Sequence, residues 1–215
     1  MASLRMPTAV FVSGSGTNLQ AVIDAAAAGE LLLDLRLVLS DKPAAYALRR
    51  AARSGIACEC YEFRPLIETR PAYALRLVRA VRASGARLVL LLGWMHVLAT
   101  EFLNAGFEGV LNLHPAYLPE DPSQDVVTFP DGSSSQVFRG PRSLRDALAA
   151  GAKTVGASLI QITPHVDRGP VLAREALRLG ADDDEERALA RLRSVEREVV
   201  RRGISRWLAT RGIGV

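Results

Sequence analysis

Short apolar runs alternate with longer helical patterns along most of this chain, and that alternation is its strongest constraint. Apolar runs cover 8–13, 33–40, 58–61, 87–92 and 110–114, and patterns with helical spacing fall between them. Such an order favours a sheet built from crossover units, with helices on its faces. Helices are expected over 17–28, 44–54, 71–84 and, in brief, near 98–103. Pro71 falls in the first turn of the third, where a missing N–H costs nothing. After residue 140 the pattern gives a helix near 142–150, strands near 156–163 and 171–177, and a helix over about 184–208. The expected fold is therefore α/β, a doubly wound, mostly parallel sheet, in a single domain over 1–215.

The segment 119–140 breaks the pattern. With the residues just before it, it carries Pro115, Pro119, Pro122 and Pro130, then an Asp131-Gly132 turn signal and a run of serines. It is long for a connection inside a domain, and such loops are usually functional lids or unstructured. The stretches 126–129 and 135–138 on either side of Asp131-Gly132 are expected to pair as a small hairpin.

Composition narrows the partners. Lys and Arg number 27 against 23 Asp and Glu, a formal net charge of +4, and the only lysines are Lys42 and Lys153. The charges are scattered, without a basic tract interleaved with aromatics, so no nucleic-acid partner is expected. A mildly positive field favours an anionic small molecule. The apolar run near the N-terminus ends at once in glycines and serines, unlike a signal peptide. No stretch reaches the ~18 apolar residues of a membrane span, so the expectation is a cytoplasmic protein with no membrane partner. Cys58 and Cys60 are the only cysteines. Two residues apart on a strand, they point the same way, cannot form a disulfide framework, and are expected to be buried thiols.

Three places carry chemistry. Ser13-Gly-Ser-Gly-Thr-Asn18 lies between the first strand and first helix. Glycines there allow backbone N–H groups close to an anion at a helix N-terminus, a phosphate cradle. It is not the dinucleotide fingerprint, since the third glycine is missing, and a plain turn capped by Thr17 or Asn18 is the alternative. Asn112 and His114 sit two apart on a strand that Pro115 ends, so both face one side at the carboxyl edge, where open α/β sheets bind ligands. An amide donor beside an imidazole suits acyl transfer, although a turn-capping Asn and a core His fit an isolated pair equally well. Asp167, in His165-Val-Asp-Arg-Gly-Pro170, reads as a turn residue that would orient His114 if the fold brought the two together. On the last helix, Leu189, Leu192, Glu196 and Val199 share one stripe, so Glu196 interrupts an apolar face, as a ligand or as the partner of a nearby arginine.

Taken together, the motifs resemble the folate-dependent glycinamide ribonucleotide transformylase family. The resemblance runs from Val10-Phe-Val-Ser-Gly-Ser-Gly-Thr-Asn-Leu-Gln20 through Leu39-Ser-Asp-Lys42, Gly93-Trp-Met95 and Leu111-Asn-Leu-His-Pro115 to Val166-Asp-Arg-Gly-Pro170. It implies a Rossmann-like formyltransferase fold. It also implies transfer of a formyl group from 10-formyltetrahydrofolate, a co-substrate, to the amine of glycinamide ribonucleotide in purine biosynthesis, without a metal. By the same resemblance Asn112, His114 and Asp167 are the catalytic trio, and Gly16, Thr17, Asn18 and Glu196 bind the phosphorylated amine. Arg70, Met95, His96 and Val97 line the folate pocket. The protein would act as a monomer or homodimer. His96 stands where the family commonly has arginine, Ile160 where a histidine often follows the Gly156-Ala-Ser-Leu159 strand, and the loop after Pro119 is longer than usual. Two rivals share the scaffold, formyltetrahydrofolate hydrolysis and formylation of an amino sugar; a third is a nucleotide-binding module without chemistry.

Overall fold

The computed structural model describes residues 5–180 and 183–214. Backbone contacts divide the chain into two compact units, one of Met1–Asn112 with Leu208–Val215, the other Leu113–Trp207.

The first unit holds β1 (Met6–Val12), α1 (Thr17–Ala27), β2 (Leu33–Ser40), α2 (Tyr46–Arg53), β3 (Cys58–Cys60), α3 (Arg70–Ala83), β4 (Leu88–Leu91), α4 (Thr100–Leu103) and the first four residues of β5 (Gly109–His114). The pairing is parallel throughout, in the order β3-β2-β1-β4-β5. The chain winds outward from β1 in one direction through β2 and β3, then returns to its other side at β4. That reversal is the doubly wound class expected from the alternation of runs. β1 and β4 lie in the middle, and Ala9, Val10, Phe11, Val12, Leu88, Val89 and Leu90 are wholly buried. Strands covered on both faces read as continuous apolar runs, which is why the period of two is absent from them. Thr69 caps α3, its Oγ1 accepting from the Ala72 N–H at 3.3 Å, with Pro71 in the first turn.

The cysteines depart from expectation. Both are exposed, because β3 is an edge strand paired only to β2 and every residue in it is open to solvent. Apolar character alone could not tell an edge strand from a central one. Partial desolvation, with Glu62 and Asp41 nearby, still raises the Cys60 pKa above the usual thiol value.

The second unit holds the end of β5, then β6 (Val126–Thr128), β7 (Ser134–Gln136), α5 (Ser143–Ala149), β8 (Thr154–Gln161), β9 (Val171–Arg178) and α6 (Glu185–Ala209) up to Trp207. β8 and β9 are antiparallel, with Ala157 opposite Glu175. The hairpin forms as read: Val127 faces Ser135, and Asp131 Oδ1 accepts from the Ser133 N–H at 2.9 Å to shape the turn. It has an apolar seat. Val127, Phe129 and Val137 pack into one cluster with Ala116, Leu118 and Ile160. Ile160 is thus a floor for the hairpin and is 1% exposed.

α6 packs closely on β8 and β9. A Cβ at Gly203 would stand 2.6 Å from Leu159 Cδ2 and 3.3 Å from Ala173 Cβ, so only glycine permits this approach. The buried stripe of α6 is Ala188, Leu192, Glu196, Val199 and Gly203. Leu189, expected on it, is 38% exposed. Leu192, Glu196 and Val199 lie on it as expected, and only Leu189 leaves it, with Ala188 buried one residue earlier.

Candidate active site

In the first unit, the glycine loop turns from β1 into α1 through Gly16 at φ 71°, a left-handed conformation that favours glycine. α2 closes against it: the Ala47 N–H donates to the Gly14 carbonyl at 3.1 Å. Arg50 of the same helix donates from Nε to the Ser15 carbonyl at 2.9 Å and from Nη1 to Gln20 Oε1 at 3.2 Å. The loop is therefore held open in shape and flanked by a guanidinium, with Thr17 and Asn18 opening α1.

The segment after β4 begins with the Met95 N–H donating to Ser13 Oγ at 3.2 Å. Met95 and Val97 are 53% and 64% exposed. His96 turns inward. Its Nε2 lies 3.0 Å from Asp41 Oδ2, and its ring meets those of Trp94, Tyr73 and Phe63 at centroid distances of 5.5, 6.0 and 6.0 Å. Arg70, at the start of α3, sits over the Phe63 ring at 4.7 Å. Burial, with Asp41 close by, pushes the Tyr73 phenol well above its ordinary pKa, and its OH donates to the Tyr61 carbonyl at 2.7 Å. The sequence motif that includes Asp41 was visible, but its pairing with His96 was not. No spacing in the chain links residues so far apart.

Asn112 and His114 share β5, half-buried and buried respectively, and strand alternation sends both to one face. In the second unit His114 is 4% exposed. Its Nδ1 lies 3.5 Å from Asp167 Oδ2. Its Nε2 lies 3.2 Å from the Phe138 carbonyl. A carbonyl only accepts, so Nε2 carries its hydrogen and Nδ1 is the atom turned to the carboxylate. The fold thus brings together the two residues whose meeting the sequence left open. Asp167 reaches this pose at φ 52°, the only non-glycine residue at positive φ among the described residues. Its Oδ2 also accepts from the Gly140 N–H at 2.9 Å.

Phe138 and Gly140 close the segment 119–140, and sequence reasoning missed both. They act through backbone atoms, which carry no residue signature. Glu196 lies on α6 at 8% exposure, a rare burial for a carboxylate. Among the described residues, no group of three or more His, Cys, Asp or Glu is placed to hold a metal ion. No described helix is long and apolar enough to cross a membrane.

A buried imidazole held between a carboxylate and a carbonyl is chemically able to hold and pass a proton, a capacity that acyl-group transfer can use. Residues 6–204 match the formyl transferase family, and the chain belongs to that family of group-transfer enzymes. Within it, the chain is 30% identical over 204 residues to phosphoribosylglycinamide formyltransferase of Escherichia coli K12, covering 95% of this chain and 87% of that protein. It is 31% identical over 194 residues to the trifunctional purine biosynthetic protein adenosine-3 of Drosophila melanogaster, 89% of this chain but only 13% of that protein's length. Among solved structures, glycinamide ribonucleotide transformylase 1 from Symbiobacterium toebii superposes with a TM-score of 0.81 at 30% identity, covering 93% of this chain and 86% of that one. The phosphoribosylglycinamide formyltransferase of Bacillus halodurans gives 0.82 at 25% identity, covering 95% and 96%.

Proposed function

We propose that this formyltransferase moves the formyl group of 10-formyltetrahydrofolate to the amine of glycinamide ribonucleotide, as one functional domain. The observation that carries the reading is the buried His114–Asp167 pair in a chain of this family. The names of relatives that match nearly full length support the choice of acceptor.

In the proposed reaction the acceptor amine attacks the formyl carbon. A C–N bond forms and the carbonyl oxygen takes up the electron pair. The Asn112 amide and protonated His114 hold that oxyanion. Asp167, turned to Nδ1, holds the ring so that Nε2–H is the donor, and in the reactive complex that hydrogen leaves the Phe138 carbonyl for the substrate oxygen. As the tetrahedral species collapses, the bond from carbon to the folate N10 breaks. The proton lost by the amine ends on N10, relayed by the His–Asp pair or water.

The backbone of Gly16, Thr17 and Asn18 is assigned the ribonucleotide phosphate, because left-handed Gly16 and the start of α1 present N–H groups to an anion. Glu196 is assigned the acceptor's polar groups. Arg70, Met95, His96 and Val97 are assigned the folate; the exposed apolar Met95 and Val97 suit a planar ring. His96 departs from the arginine commonly found there and is engaged with Asp41, which leaves Arg70 as the cation for a folate carboxylate.

The test is transfer in vitro from 10-formyltetrahydrofolate to glycinamide ribonucleotide, with water and an amino-sugar nucleotide as competing acceptors. Turnover with the ribonucleotide alone is expected. Turnover only with water or the amino sugar would move the chain to one of the rival activities.

A further inference from the structure

The inserted segment contributes more than a hairpin. At its foot, Asp125 Oδ1 accepts from two guanidiniums, Arg139 Nη1 and Arg168 Nη2, each at 2.6 Å. Both arginines bind further acceptors. Arg139 Nη2 donates to the Gln124 carbonyl at 2.8 Å, and its Nε to the Asp167 carbonyl at 3.4 Å. Arg168 Nη1 donates to the carbonyls of Pro122 and Ser123 at 2.7 and 3.3 Å. The start of the insertion is thereby stitched to its end and to the turn that carries Asp167.

That turn needs holding. A left-handed conformation at a non-glycine residue is disfavoured, somewhat less for aspartate, and persists where its surroundings over-determine it. The determinants here are the Arg139 contact to the Asp167 carbonyl, the Arg168 side chain one residue on, and the Gly140 N–H on the carboxylate. Arg139 and Arg168 are 15% and 34% exposed in their side chains, and Asp125 is 68% exposed. An exposed acceptor contributes little to stability. What two planar forks on one carboxylate do supply is direction.

We propose that Asp125, Arg139 and Arg168 are positioning residues for the transfer reaction, a network that sets the Asp167 turn so that Oδ2 faces His114 Nδ1. The proposal rests on the reading of His114 and Asp167 as the catalytic pair. It gives the insertion a role: it supplies the outer support of the pair, and a chain without the insertion would need another support. Asp125 lies outside the pair itself, and its carboxylate binds the supporting arginines.

The test uses the full chain with Asp125→Ala, Asp125→Glu and Arg139→Lys. Steady-state transfer is measured together with the ¹⁵N resonances of the His114 ring in the substrate-free protein, at one pH. The chain has three histidines, so assignment by substitution is simple. Asp125→Ala is expected to lower kcat about tenfold, part of the ~100-fold that a 1 Å misplacement can cost, with both KM values within about twofold. The His114 Nδ1 resonance moves. Asp125→Glu recovers most of kcat and the resonance; Arg139→Lys behaves like the alanine variant, since an ammonium cannot span three acceptors. Wild-type kcat and an unmoved resonance in Asp125→Ala overturn the proposal, as does a loss that glutamate fails to recover. If the wild-type protein transfers no formyl group, the functional reading falls by itself. The resonances then decide the network: movement in Asp125→Ala with recovery in Asp125→Glu supports it, and an unmoved resonance overturns it.

Discussion

Gly16→Ala probes the proposed phosphate loop where the geometry is tightest. Two costs add. The residue stands at φ 71°, and a side chain there costs about 1–2 kcal/mol. Its Cβ would also lie 2.6 Å from Ala47 Cβ and 2.8 Å from Ala47 Cα. α2 cannot simply withdraw, because the Ala47 N–H is bonded to the Gly14 carbonyl and Arg50 to the Ser15 carbonyl. Overpacking of this kind costs about 1–3 kcal/mol. The sum, roughly 2–5 kcal/mol, is a large part of an ordinary 5–15 kcal/mol stability but need not exhaust it. The variant should fold, unfold at lower denaturant, and show a raised KM for the ribonucleotide with less change in the folate KM. Ala47→Gly separates the two costs. Alone it should cost about 1 kcal/mol of helix propensity. Combined with Gly16→Ala it removes one overlapping atom, so the pair should lose roughly 1 kcal/mol less than the sum of the singles. Urea unfolding of the four proteins completes the cycle. A Gly16→Ala protein as stable as wild type would refute the steric argument. A destabilised one with unchanged ribonucleotide KM would remove the loop from the site.

Other outcomes follow from the same geometry. His114→Ala should lower kcat by roughly two to four orders of magnitude; adding Asp167→Asn should cost little more, because the aspartate works through the ring, and additive losses would separate the two roles. Asn112→Ala should lower kcat with little change in the folate KM, since its contact strengthens as charge develops on the formyl oxygen, and an equal rise in KM would mark it as a binding group. Phe129→Ala should destabilise by about 3–5 kcal/mol, as its ring is buried in the hairpin cluster; a loss below 1 kcal/mol in urea unfolding would show the hairpin to be loosely held. The Tyr73 phenol keeps its proton in the fold beyond its unfolded value, so its contribution is complete below about pH 10 and declines above. Tyr73→Phe should flatten that alkaline loss of stability, and an unchanged slope would assign it to other groups.

Much of the molecule was legible because the physics involved is local. β2 runs over the residues its apolar run marks, and α1, β5 and α6 differ from the reading by a residue or so at an end. Hydrophobic period, glycine turns and proline positions act within a few residues of where they stand. The hairpin around Asp131-Gly132 was legible for the same reason. Its seat was not: Ile160 looked like a departure from a pattern, and only packing showed it beneath Phe129 and Val137. The cysteines were misjudged because strand character is written in the sequence and strand order is not.

The sequence by itself determined the class of fold, the carboxyl-edge placement of Asn112 and His114, and the glycine turn before α1. Each follows from nearest-neighbour sterics or from alternation along one strand. Only the tertiary structure decided that Asp167, in a turn far along the chain, faces His114 at 3.5 Å; that Phe138 and Gly140 bind that pair through backbone atoms; and that His96 is spent on Asp41. These are contacts between residues with no fixed spacing, set by how strands order and how a left-handed turn at Asp167 aims its carboxylate. Chain connectivity limits such meetings without choosing among them; the choice is made when the core excludes water and each buried polar group must find a partner.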